Sequence, residues 1–148
     1  MRTSRAYLTG LLAALLTLGS CAEKKPPARN HIPLLKARLF SLQEAVKTLN
    51  RAAIDSLLSV QILDNDQNSD SLLQFAYGPD GGYVFRQFAV GEITYTNDNA
   101  RIDCFIMDSS HTRDRPLILT YVYEHDQWLL KRFEPGKVET ERDTSDSI

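Results

Sequence analysis

Leu35, Leu39, Leu42, Val46 and Leu49 recur at spacings of four, three, four and three residues, which places them on one face of an α-helix. Ser41 followed by Glu44 has the form of a capping box, so either one helix runs unbroken from about Leu34 or it restarts at Ser41. Ile54, Leu57 and Leu58 predict a second short helix, with Asp55 and Ser56 serving its first turn. After the polar stretch LDNDQNSD the pattern changes. Runs rich in Val, Ile, Tyr, Phe and Thr occupy residues 83–96, 101–108, 117–124 and 127–133, separated by NDN, SSHTRDRP and HD. Such short connections require antiparallel hairpins. Residues 71–77 fit helix and strand equally and end at the turn sequence GPDGG.

Helices followed by about four antiparallel strands predict an α+β fold, with the N-terminal helices packed on the sheet. In the second strand Ile102, Cys104 and Ile106 share one face, and Asp103 shares the other with Phe105 and Met107. In the third, Leu117, Leu119, Tyr121 and Tyr123 alternate with Ile118 and Val122. One apolar face can pack on the helix; the other, marked by Ile118 and Val122, stays wet unless something covers it. Residues 71–77 are one candidate cover.

The chain opens with Arg2 and Arg5 ahead of an apolar run from Ala6 to Leu18, the form of a secretory signal peptide and too short for a comfortable membrane span. The run ends in Leu18, Gly19, Ser20 and Cys21, which resemble the lipobox of bacterial lipoproteins. The resemblance implies cleavage before Cys21, acylation of its thiol and new amine, and stable anchoring through several acyl chains. Residues 1–20 are then the signal peptide and residues 21–33, which include AEKKPPARNHIP, a lipidated cysteine with a flexible tether. Residues 34–134 form one domain, and residues 135–148 a polar, disordered tail. Ala22 after the cysteine leans toward the outer membrane, facing the periplasm, if the organism has one.

The composition of the 148 residues, 43% hydrophobic and 24% charged, is that of a globular domain. Two cysteines are too few for a disulfide scaffold, and the balanced charge argues against nucleic acid as the partner. The charge is unevenly spread: seven bases face two acids in residues 22–51, and eleven acids face four bases in residues 64–126. The basic part adjoins the anchor, where it either meets anionic headgroups or serves as a solvated linker.

The stretches SLQEAVKTLNRAAIDSLLSV, YTNDNARIDCFI and LILTYVYEHDQWLLKRFEP resemble the NTF2-like (cystatin-like) superfamily in their order of elements. That resemblance implies a strongly curved sheet wrapped round the long helix, forming a cone that is a ligand pocket or a filled core, and an outer sheet face, marked by Ile118 and Val122, that pairs with a second copy of the chain or a partner envelope protein. Catalytic members place an Asp or His base in the cone beside a Tyr or a protonated acid. The residues to weigh here are Asp103, His111, Tyr95, Tyr121 and Tyr123, of which the three tyrosines are the candidate pocket lining. Alternation puts Asp103 outside the cone if the aliphatic face is the core, and His111 and His125 fall in connections.

No hydrolase motif of the GxSxG, HExxH or P-loop type occurs, Cys104 in an aliphatic strand reads as a buried thiol, and His31, His111 and His125 lack metal spacing. One constellation invites a cation. Asp64, Asp66, Asn68 and Asp70 stand at positions 1, 3, 5 and 7 of a calcium-loop template, although Ser69 replaces its glycine and Phe75 its closing glutamate. The leading expectation is a lipid-anchored envelope protein, more a binder than an enzyme, whose domain binds a protein partner or a small apolar ligand and implies no cofactor. A small acid-base enzyme of isomerase or dehydratase type and a weak calcium-binding structural module are the alternatives.

Overall fold

The computed structural model describes residues 30–109 and 113–137, apart from the side chains of residues 113 and 114. The signal segment with Cys21, His111, and the tail from residue 138 fall outside the described residues. Helix α1, Ile32–Lys47, is unbroken, so Ser41 caps nothing and turns its hydroxyl back to the Ala37 carbonyl at 3.0 Å. Leu35, Leu39, Leu42 and Val46 are buried as their spacing requires. Leu49 is not. The helix closes with Leu49 N–H on the Val46 carbonyl and Asn50 N–H on that of Ala45, which forces Leu49 to a φ of 53° and leaves it 55% exposed.

Asn50 caps α2, Arg51–Asp55, by accepting the Ala53 N–H at 3.0 Å. Asp55 and Ser56 therefore end this helix, where the sequence placed them at its start. A 3-10 helix, Val60–Asn65, follows and lies against the sheet edge. Residues 71–77 resolve as part of α3, Ser69–Tyr77, because Asn68 and Ser71 form a reciprocal capping box.

Strands β1, Phe85–Tyr95, β2, Asn99–Asp108, β3, Arg113–Glu124, and β4, Gln127–Pro135, form one sheet in that order, each antiparallel to the next. Bulges interrupt the ladders and bend the sheet. Gly91 sits at one of them, where an added Cβ would lie 3.0 Å from the Asp103 carbonyl oxygen. Two residues with positive φ, His125 at 50° and Asp126 at 62°, close the β3–β4 hairpin. The inner face and α1 share one buried cluster that includes Leu35, Val46, Ile102, Leu119, Tyr121 and Trp128.

The folded part starts before residue 34. Pro33 occupies the first turn of α1, and His31 ahead of it is only 7% exposed, so the end of the expected tether belongs to the core.

Candidate functional site

Inside the cone, Tyr121 is fully buried and its hydroxyl has no hydrogen-bond partner. Burial, with a small addition from Cys104, drives its ionisation far above the ordinary tyrosine range, against a weaker opposing pull from Arg38. The buried Cys104 thiol is pushed up to about 12, by burial first and by Asp103 second. Both groups stay protonated at neutral pH, so neither supplies a base or a nucleophile there.

The three tyrosines expected to line one pocket divide between two places. Tyr95 and Tyr123 flank His31 edge-on, with ring centroids 5.5 and 5.4 Å away, while Tyr121 is sealed in the core. Trp128 completes the box at 5.2 Å and donates its indole N–H to His31 Nδ1 at 3.2 Å. This fixes the imidazole as an acceptor at Nδ1 and ties the start of α1 to the β3–β4 hairpin. His31 was missed as a core residue because its contacts come from about 65 to 97 residues further along the chain, beyond any local pattern.

On the outer face Asp103 pairs with Arg101 at 2.9 Å, away from the cone. Strand register lines up the outward side chains in rows. Glu92, Asp103, Ile118 and Glu134 form one, and Thr94, Arg101, Thr120 and Arg132 form the next. Arg132 joins Glu134 at 2.6 Å, linking the rows a second time. Beside the acidic row lie Ala89, Phe105 and Pro116; beside the basic row lie Asn99, Val122 and Leu129. A hollow of about 630 Å³ opens on this face, lined in part by Arg101, Asp103, Phe105, Ile118 and Glu134. Ile118 is half-buried, whereas Val122 is 8% exposed beside Leu129, so the two differ as contact residues although both point outward.

No family model and no curated protein matches the chain. Among solved structures, one titled as a five-substitution variant of Rd1NTF2_05 is similar at 13% sequence identity, over 69% of this chain and 96% of its own, with a TM-score of 0.50. The fold is NTF2-like. At that identity the likeness concerns architecture, so the side chains of this NTF2-like domain must carry any functional argument.

The DNDQNSD stretch does not gather its oxygens. Asp64 lies in the 3-10 helix, Asp66 terminates it at a φ of 53°, Asn68 Oδ1 accepts the Ser71 N–H at 2.9 Å, and Asp70 pairs with Arg51. Among the described residues, no group of three or more His, Cys, Asp or Glu side chains converges as a metal site. Two of the four side chains are engaged elsewhere, Asn68 as the N-cap of α3 and Asp70 with Arg51. His125 is exposed in the hairpin turn.

A second cleft of about 550 Å³ lies at the end of α3, lined by Phe75, Tyr83, Arg115, Pro116 and Pro135 among others. Arg115 donates to the carbonyls of Phe75 and Ala76 and stacks on the Tyr83 ring at 4.2 Å, so its charge sits at the negative end of the helix. No helix among the described residues is long and apolar enough to cross a membrane.

Proposed function

We propose that this chain is an envelope lipoprotein, anchored through acylated Cys21, whose NTF2-like domain acts by binding a protein partner on the outer face of its sheet. The observation that carries this reading is the division of labour between the two sheet faces. The cone is filled by Leu35, Ile102, Leu119, Tyr121, Leu130 and Trp128, each at 1% exposure or less. The outer face presents half-buried Phe105 and Ile118 beside exposed charges, a mixture common at protein interfaces.

Acid-base chemistry in the cone would require a carboxylate or imidazole near the Tyr121 hydroxyl. Asp103 faces the other way and His31 is engaged at the rim. A small apolar ligand is the second reading, favoured by the cleft beside Arg115 and placed there instead of among the three tyrosines.

Two experiments test the proposal. Labelled palmitate enters the wild-type chain and not Cys21→Ala; equal labelling removes the anchor from the account. Chemical crosslinking in cells recovers an adduct with the wild type that Ile118→Arg loses while retaining its fold. An adduct unchanged by Ile118→Arg would place binding elsewhere. Ile118 is a cleaner probe than Val122, where a charge would enter a site only 8% exposed and disturb folding as well.

A further inference from the structure

Helix α1 has an outward face that the rest of the domain leaves uncovered. Pro33, Lys36, Ala37, Phe40, Glu44 and Lys47 recur at spacings of three, one, three, four and three residues, opposite the buried Leu35, Leu39, Leu42 and Val46. Phe40 is 61% exposed there, and Val90 of β1, 42% exposed, joins Phe40 and Lys36 round a hollow of about 230 Å³. Leu34, 48% exposed, flanks the face on the side of the β3–β4 hairpin. We propose that this face lies flat on the anionic lipid surface to which Cys21 is anchored, with Phe40 entering the headgroup layer and Lys36 meeting lipid phosphates. The inference rests on the anchored reading of Cys21 and adds the orientation of the domain.

Charge and reach select the occupant. Lys36 pairs with no acid among the described residues, and Glu44 is neutralised by Lys47 at 3.2 Å, so the face is net positive around an aromatic ring. Aromatic and basic side chains together are the chemistry of helices that lie in a bilayer interface, where a lysine stem rests on apolar surface and its head reaches the phosphates. Lys24, Lys25 and Arg29 outnumber Glu23 between the anchor and the helix, so the chain approaches an anionic membrane with the same sign. Eleven residues lead from Cys21 to Ile32 and span at most about 40 Å, close to the width of about 35 Å expected for a domain of this size. The anchored domain is thus held within its own width of the bilayer, and a weak surface affinity suffices to seat it.

The acids decide the angle. Asp126 lies in the hairpin beside Leu34, and the Asp98 carbonyl accepts the N–H of Tyr123, which flanks His31, so both acids stand at the end of the domain where α1 begins. End-on seating would press them against anionic headgroups; side-on seating leaves them at the margin. Because α1 packs on the inner face of the sheet, side-on seating turns the outer face and Ile118 away from the membrane, open to a protein partner.

The test uses the full chain, purified from membranes and reconstituted in phosphatidylcholine vesicles with about one quarter phosphatidylglycerol, part of the lipid carrying a nitroxide near the headgroup end of an acyl chain. A fluorophore is placed by Ala37→Cys beside Phe40 or by Ile118→Cys on the outer face; Cys104 is buried and takes little label. Flotation reports the anchor and nitroxide quenching reports the docked face. Wild type floats, the label at 37 loses about half its fluorescence, and the label at 118 loses about a tenth or less. Quenching at 37 falls in vesicles of phosphatidylcholine alone and as salt rises from about 50 to about 500 mM. Adding Phe40→Ser/Lys36→Glu lowers quenching at 37 by about fivefold while flotation and melting stay unchanged, since both side chains are exposed. A chain that floats with no quenching at 37, with equal quenching at 37 and 118, or with quenching indifferent to Phe40→Ser/Lys36→Glu overturns the inference and leaves the anchor standing. A chain that does not float overturns both.

Discussion

Alternate residues of the same strands build two surfaces of opposite character. Facing α1, Ile102, Cys104, Leu117, Leu119 and Tyr121 are at 2% exposure or less and fill the cone. Facing away, Arg101, Asp103, Ile118 and Thr120 are half-buried or exposed and form ordered rows of charge. The inner side therefore carries the packing, and the outer side leaves charged groups in reach of solvent.

The largest contrast between the faces is chemical. Because the Cys104 thiol is pushed up to about 12, its alkylation at pH 8 in the native protein should be slower than in the unfolded chain by about a thousandfold, read by mass spectrometry of its peptide. Reaction at the unfolded rate would mean that the inner face is open to solvent. The same shift has a sign for stability. The folded state retains the thiol proton up to about 12 while the unfolded chain releases it near 9, so this contribution is intact below pH 9 and is lost as pH rises through that interval.

Packing gives the next largest effect. Leu119→Ala should cost about 3 kcal/mol in urea unfolding, whereas its outward neighbour Thr120→Ala should stay within about 0.5 kcal/mol. Equal costs would erase the distinction between the faces.

Much of that distinction was legible in the strands, since period-two alternation assigned Asp103, Ile118 and Val122 to the outside before any register was known. The rows were not. Arg101 with Asp103 and Arg132 with Glu134 repeat an Arg-x-acid pattern on two strands, but aligning them requires the bulge between Thr120 and Tyr121, which no local rule supplies. Residues 71–77 were undecidable because LLQFAY is short and apolar; the Asn68–Ser71 box decides it with a serine where the usual pattern has Glu or Gln. Periodicity carried Leu49 too far, because it does not register where a left-handed residue ends a helix. The tyrosines failed for another reason. Alternation assigns a face but not a depth, and Tyr121 lies deep while Tyr95 and Tyr123 stand at the rim.

Two smaller effects sharpen the account of the filled cone. Tyr121→Phe removes a buried hydroxyl that lacks a partner and should leave stability unchanged or raise it by up to about 1 kcal/mol. A clear loss would reveal a partner for that hydroxyl and reopen the interior as a site. Away from both faces, Leu49→Gly should gain about 0.5 kcal/mol, because glycine accepts the positive φ and the leucine side chain is mostly exposed. A loss of more than about 1 kcal/mol would assign that side chain a packing role.

Site-specific photocrosslinking of the full chain in its native cells tests the central claim most directly, with the photoreactive side chain at Ile118 on the outer face or at Phe40, which is 61% exposed on α1. The account predicts a discrete protein adduct from position 118 and no discrete adduct from position 40. Adducts from position 40 with none from position 118 would contradict it and move recognition to the helical side of the domain.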